Sequence, residues 1–402
     1  MSTVPSPDEA VAALESFLTD VVDPLEAENA DFLADPRARF DERGICSPRL
    51  LELRRRVRTA ASDAGLYALF VPQALGGDGA GAACQFGLYR HLYARSGPDR
   101  PLPYEAVATF TSGPGASLVG LRERVVTGVW RRVLSGELVL AFAMSEPVAP
   151  SSGAPMATTA KRAGGGWTIS GRKQWVSGGG YADLAVVYAS TADEAPAGSD
   201  GVSAFLVPLD DPGIAIEPPT LILGRIGGEE VSLTLDGVTV PDDHVLGDLH
   251  FGRLLAREGG AGRAVHAAGR AVGLGEWALH AATSYARDAV IFGRVLADDA
   301  LVQGELAKVA AELAAARLAG SGLAAAIDDG TATATELART SSFVAEVWGN
   351  AYDRAMCVVG GDALRSDARF FDGWHQSMIV RAAEGTTGPM LLGVGKALLA
   401  GQ

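Results

Sequence analysis

Apolar positions over the first 135 or so residues recur at helical spacing. Val11, Leu14, Phe17, Leu18 and Val21 follow Pro5-Ser6-Pro7-Asp8, whose aspartate can cap a helix N-terminus. Residues 54–66 repeat the pattern and stop at Val71-Pro72-Gln73-Ala74-Leu75-Gly76-Gly77. Residues 83–94 and 115–134 read as further helices. From Glu137 to about Val245 the helical period vanishes. Short β-branched runs at 138–142, 167–170, 185–188, 204–207 and 231–235 replace it. Glycine triplets at 164–166 and 178–180 read as turns between them, which predicts a small β-barrel or sandwich. Helical spacing returns at Arg263 and persists. It covers 263–291, then a helix from about residue 300 with Val302, Leu306, Val309, Leu313 and Ala316 on one face. That helix ends before Asp328-Asp329-Gly330, and two more cover 335–359 and 389–399. Long antiparallel helices joined by short loops make a bundle. The expected class is therefore α+β multidomain. It has an N-terminal helical domain (1–135), a middle β-barrel or sandwich (136–250) and a C-terminal four-helix bundle (251–402).

Composition narrows the partners. The 402 residues are 48% hydrophobic, enough for a large core, and carry a formal charge of −14. An acidic chain lacks the basic footprint of a nucleic-acid binder. Apolar runs are Ala- and Gly-rich and are cut by charges short of about 20 residues, which argues against membrane insertion. The N-terminus has neither a basic nor an apolar leader segment, so no signal peptide is read. Cys46, Cys84 and Cys357 lie far apart, without disulfide or zinc spacing. Three buried thiols in a reducing cytoplasm are expected. The six histidines show no metal-ligand spacing, and His244 and His250 read as solvated loop residues. No Gly-x-Ser-x-Gly elbow supports a serine hydrolase.

Several strings carry more. Ser145-Glu146-Pro147 follows an apolar strand. Gly171-Arg172-Lys173-Gln174-Trp175-Val176-Ser177 precedes a second strand at 201–207, and Val240-Pro241 closes the β-region. The stretch 285–293, Gly360-Gly361 and Glu384-Gly385-Thr386 follow in the helical part. In this order they resemble the acyl-CoA dehydrogenase family, over nearly the whole chain. The resemblance implies FAD, bound in a cleft between β-domain and bundle. It also implies a glutamate base that removes the α-proton of an acyl thioester while the β-hydride passes to flavin N5. By the matched strings, Met144, Ser145, Trp175, Val176, Ser177, Phe292, Gly361 and Thr386 fall to the cofactor. Ser151, Ala383 and Gly385 fall to the substrate, and Glu384 is the base.

That chemistry suits these residue types. An α-proton beside a thioester is a poor acid, so its removal needs a positioned carboxylate and stabilisation of the enolate-like charge. Desolvation in a tight Glu-Gly-Thr turn raises such a carboxylate toward neutrality. Some relatives place the base on the first bundle helix, but the corresponding residue here is Arg263, which cannot serve. Trp175 would wall the flavin ring and Ser177 would donate to it. Taken alone, a lone strand tryptophan is a core residue and Glu384 a helix-capping acid.

The departures cluster. Val148-Ala149-Pro150-Ser151-Ser152 stands where the family reads a glycine-rich turn, and Pro150 removes a backbone N–H. The helix-end arginine that reaches a neighbouring subunit's FAD pyrophosphate is Ala289. The glutamine before Gly-Gly is Cys357, and the usual Arg-Asp before the catalytic turn is His375-Gln376. A tyrosine-like residue before the base is Ala383, which opens the pocket floor. Losing one charge-assisted contact costs about 1.5–3 kcal/mol, roughly ten- to a hundredfold in affinity.

The leading expectation is an FAD-dependent dehydrogenase of acyl-CoA or an acyl-carrier protein. It would be a homodimer or homotetramer that passes electrons to an electron-transfer flavoprotein or oxygen. Same-fold oxidase or monooxygenase chemistry, non-redox proton transfer by Glu384, and a subunit whose unlike partner completes the FAD site stay open beside it.

Overall fold

The computed structural model describes residues 4–108, 127–147, 156–222, 227–383 and 387–400. The chain opens with α1 (Pro7–Phe17), which runs through a π turn into α2 (Asp23–Glu28) and α3 (Ala30–Ala34). The next helix, α4 (Pro48–Asp63), starts six residues before the apolar pattern suggests. Ser47 caps it by accepting the Leu50 N–H, and Pro48 sits in the first turn, where no N–H is needed. Its period was masked because Arg54 and Arg58 are among its buried residues. Then come α5 (Ala82–Ser96) and α6 (Thr127–Leu134), the described part of the expected 115–134 helix.

The strands are β1 (Leu140–Ala143), β2 (Thr159–Ala163), β3 (Gly166–Ser177), β4 (Leu184–Ser190), β5 (Val202–Pro208), β6 (Ile214–Ile216), β7 (Glu230–Pro241) and β8 (Val245–Leu246). Behind them lie α7 (Gly252–Glu258), α8 (Gly260–Asp288), a small hairpin of β9 (Val290–Ile291) and β10 (Arg294–Val295), α9 (Ala300–Asp328), α10 (Ala334–Val359), α11 (Phe370–Ala383) and α12 (Thr387–Leu399).

The chain divides into two compact units. One holds Glu15–Gly79 and Glu105–Gly260, and the other holds Pro5–Leu14, Ala80–Tyr104 and Ala261–Gln402. The helical segment expected as one domain over 1–135 is thus shared between them. The reason is packing: α5 lies against glycines of the later helices. A side chain at Gly269 or Gly273 of α8 would strike Tyr89 or Tyr93, and one at Gly320 of α9 would strike the Phe86 ring.

In the first unit the strands form one sheet in the order β6-β7-β3-β2-β4-β5-β8, with β1 parallel to β4. Trp167, Ile169, Val176, Val187, Phe205, Val207, Val231, Leu233 and Val240 fill one face. Leu140, Tyr188, Leu206, Leu255 and Val133 cover the other, so α6 and α7 close that side. A charged network is buried here too. Glu105 bridges Arg54 (3.5 Å) and Arg58 (2.8 Å), and Arg54 also donates to Glu229 (2.5 Å) and Tyr181 (3.0 Å).

The second unit differs from the sequence reading in three places. The helix expected over 263–291 stops at Asp288, because Phe292 and Gly293 both take left-handed φ (+50° and +76°) and turn the β9–β10 hairpin. An additional helix, α11, ends at Ala383. Its buried positions include His375, Gln376 and Ser377, so no apolar stripe announces it. By length and composition α9 could cross a bilayer. It packs on α10 and α5, and Val309, Leu313, Ala316 and Leu323 are among its buried residues.

Two side-chain expectations are corrected. Cys357 is exposed, whereas Cys46 and Cys84 are buried, with their thiols pushed up by burial to about 12 and about 11. Cys357 sits on an outward face of α10, a position the irregular spacing of the three cysteines does not reveal. His250 is not solvated. It is 7% exposed, its N–H donates to Ser203 Oγ (2.8 Å), and Nδ1 meets Thr191 Oγ1 (2.8 Å).

Candidate functional site

The sheet turns a tryptophan outward where alternation would have buried it. Along β3, Trp167, Ile169 and Lys173 face the core, so strict period two would send Trp175 inward as well. Between Lys173 and Val176 the β3–β7 register shifts: three steps on β3 match two on β7. The extra residue makes a bulge, and Trp175 takes φ +57°, a left-handed conformation rare for a bulky side chain. Such backbone costs about 1–3 kcal/mol and persists only where surroundings enforce it. The result is a tryptophan 51% exposed, next to a Val176 fully buried in the sheet core. Only the Val176 backbone can therefore meet a ligand on that edge.

Ser145 joins the same edge. Its carbonyl accepts the Gln174 N–H (3.0 Å), which sets it beside the bulge. Ser145 is exposed and Ser177 half-buried, and neither hydroxyl has a hydrogen-bond partner among the described residues. Beneath lies an ion pair that the sequence reading did not single out. Lys173, fully buried, donates to Glu146 Oε1 (2.8 Å) and to the Met144 carbonyl (3.2 Å). Burial pushes Lys173 down to about 8 against the pull of Glu146. Burial alone would raise Glu146, but hydrogen bonds from Lys173, Thr158 and Ala157 outweigh it and hold the carboxyl below its usual range. The period-two alternation that places Lys173 on the core face is the signal that could have exposed it.

An exposed flat indole with two unpartnered hydroxyls at the bulged end of β3 fits a flavin ring. This end of β3 offers an apolar wall and donors for ring heteroatoms.

In the second unit, Phe292 stands fully exposed at the hairpin tip. Ala289 follows α8, its N–H bonded to Tyr285 O (2.9 Å) and its carbonyl accepting from Leu296 (2.9 Å). Gly361 follows α10 in a short turn with open space where a side chain would go. Tyr285 donates to Asp362 of that turn (2.8 Å). Ala383 ends α11. Ser151, Glu384, Gly385 and Thr386, with Pro150, lie outside the described residues. α11 itself is anchored at its start. Arg369, in left-handed backbone, donates to Pro98 O and Ser96 O (2.7 and 2.6 Å) and lies over Trp277. Gly373 and Gly349 admit the Tyr352 ring and the Arg381 guanidinium, which seats α11 on α10.

Further along α8, His266 Nε2 lies 3.1 Å from Tyr93 Oη and its ring meets Tyr89 edge-on. Burial, then the Arg270 charge, push its pKa from 6.5 down to about 3. The folded ring is neutral, while the unfolded one takes a proton as pH falls below about 6.5. Stability from this site is therefore full above that pH and declines toward pH 3, by at most about 1.4 kcal/mol per unit. Urea melts between pH 6.5 and 4 are expected to show that decline flattened in His266→Gln.

Family models for the acyl-CoA dehydrogenase middle domain match residues 141–238, and those for its C-terminal domain match 255–399. Together they span more than half of the chain. The chain belongs to the acyl-CoA dehydrogenase family. Human mitochondrial short-chain specific acyl-CoA dehydrogenase is 33% identical over 46% of this chain and 44% of that one. The Acetobacterium woodii caffeyl-CoA reductase-Etf complex subunit CarC is 25% identical over 80% of this chain and 84% of its own. Among solved structures, a Mycobacterium smegmatis glutaryl-CoA dehydrogenase in complex with FADH2 superposes with a TM-score of 0.80. It has 21% identity and covers 98% of this chain and 94% of that one, a likeness of fold. Family membership makes this acyl-CoA dehydrogenase relative an oxidoreductase of CH–CH bonds, with FAD as its cofactor.

Proposed function

We propose that this protein oxidises an acyl thioester at its α,β-carbons, with Glu384 as base. The observation that carries the reading is the outward Trp175 beside the unpartnered Ser145 and Ser177 hydroxyls, on the strings that match the family. Trp175 covers one face of the flavin and keeps water from it. Ser177 donates to the ring, and Ser145 with the Met144 backbone faces its pyrimidine edge. Phe292, Gly361 and Thr386 complete the cofactor set. FAD, when bound, supplies the acceptor for the β-hydride. Glu384 removes the α-proton and holds it as the double bond forms. Ser151, Gly385 and Ala383 border the acyl thioester, and an alanine where the family carries a tyrosine-like residue suits a substrate bulkier than a straight chain. An electron-transfer flavoprotein is the electron acceptor we propose, a reading supported by CarC, a subunit of an Etf complex. Homo-oligomeric assembly and a cytoplasmic location belong to the same proposal.

A second reading is favoured by Ala289 and Cys357. Neither can supply the charge-assisted or amide contact to FAD that the family places there, so an unlike partner subunit would complete the site.

The test is an absorbance spectrum of the purified protein with and without added FAD. A flavin band that an acyl thioester bleaches without oxygen is expected. No flavin at saturating FAD overturns the reading for the isolated chain, and recovery of flavin with a co-purifying homologue turns it into the second one.

A further inference from the structure

Two neighbouring residues of β3 hold three successive carbonyls. Lys173 Nζ bonds Met144 O (3.2 Å), the Gln174 N–H bonds Ser145 O (3.0 Å), and Gln174 Nε2 bonds Glu146 O (2.9 Å). The Glu146 carboxylate is tied as fully. It receives Lys173 Nζ (2.8 Å), the Thr158 N–H (2.9 Å) and the Ala157 N–H (2.7 Å). Three separate segments, 144–146, 157–158 and 173–174, therefore meet at one charge pair with neither side chain open to solvent. The next residue along β3 is Trp175, in its left-handed conformation.

A buried ion pair is a weak source of stability, because desolvation cancels much of its attraction, and apolar residues of similar volume often serve as well. What it provides instead is direction. Its hydrogen bonds fix the path of 144–146 along the bulge, and that path places Ser145 beside Trp175. Strained backbone needs such over-determination to persist.

We propose that Lys173 and Glu146 are positioning residues for the flavin. Their buried pair, with the Gln174 clamp, keeps Trp175 turned out of the sheet and Ser145 at its side. The inference rests on the flavin reading above and assigns the device that prepares that edge before the cofactor arrives.

The test compares Lys173→Met, Lys173→Arg and Gln174→Ala with the wild-type chain. Trp175 emission in the cofactor-free protein is obtained by subtracting a Trp175→Phe background, and FAD affinity is obtained by titration. In Lys173→Met, Trp175 emission is expected to shift to the blue with less iodide quenching. FAD is expected to bind roughly ten- to a hundredfold more weakly, the scale of one lost charge-assisted contact. Lys173→Arg is expected to recover part of both. Where Lys173→Met does not fold, Gln174→Ala reports on the same edge without leaving Glu146 unpaired, and the same shift and a weaker affinity are expected. Unchanged Trp175 emission and unchanged FAD affinity in the variants that fold overturn the proposal, while the flavin reading stands. If the wild-type chain binds no FAD although Lys173→Met or Gln174→Ala moves Trp175, the flavin reading fails and the proposed role toward FAD is overturned with it.

Discussion

Glu384→Gln is expected to lower turnover by about 10²–10⁴-fold, the usual contribution of a positioned general base. The amide keeps the shape of the side chain and removes its capacity to take a proton. Flavin content and the visible band are expected to stay as in the wild type, because the residues proposed to meet the flavin ring are Ser145, Trp175 and Ser177, not Glu384. Bleaching by an acyl thioester is expected to slow by the same factor as turnover. The contrast separates the base from the cofactor site. A variant that turns over at the wild-type rate would sink the assignment of Glu384. The position where some relatives carry the base holds Arg263, which stays protonated at any working pH and offers no substitute.

The largest expected effect on stability comes from Glu105→Ala. Glu105 serves two buried arginines of α4 at once, Arg58 at 2.8 Å and Arg54 at 3.5 Å. Arg54 keeps Glu229 and Tyr181, and Arg58 keeps the Gly136 carbonyl (3.0 Å). No second carboxylate contacts Arg58 among the described residues. Removing one partner of a buried pair leaves an uncompensated charge, at about 3–5 kcal/mol. Urea melts of Glu105→Ala are expected to show a loss of that size. The double variant Arg58→Met with Glu105→Met is expected to lose much less, because it withdraws both charges together. Equal losses in the two variants would mean that packing, not the unpaired guanidinium, sets the cost.

The order of elements was legible because hydrophobic period is a local property. The helical spacing before 135 and after 263, and the short alternating runs between, correspond to α1, α4 and α5, to β1, β3, β4, β5 and β7 of the eight-stranded sheet, and to α8, α9, α10 and α12. Legibility failed where burial and polarity disagree. Arg54 and Arg58 hide the early turns of α4, and His375, Gln376 and Ser377 hide α11. The division into units was equally hidden. α5 reads as part of an N-terminal domain, yet its place depends on glycines of α8 and α9 some 180 to 240 residues away.

The same line runs through the site. The strings around Ser145, Trp175, Phe292, Gly361 and Glu384 identify the family from sequence alone, since they are short and come in the family's order. Lys173 stood inside one of those strings without a role, because only its partner, 27 positions earlier, makes sense of a buried ammonium. Alternation along β3 would have put Trp175 in the core. The tertiary structure turned it outward, because a one-residue mismatch against β7 changes the phase of every side chain beyond it. Residue types and their order thus determined the family and, with it, the cofactor. Pairing between distant strands decided which face each side chain presents, because register is a property of two segments and is written in neither one.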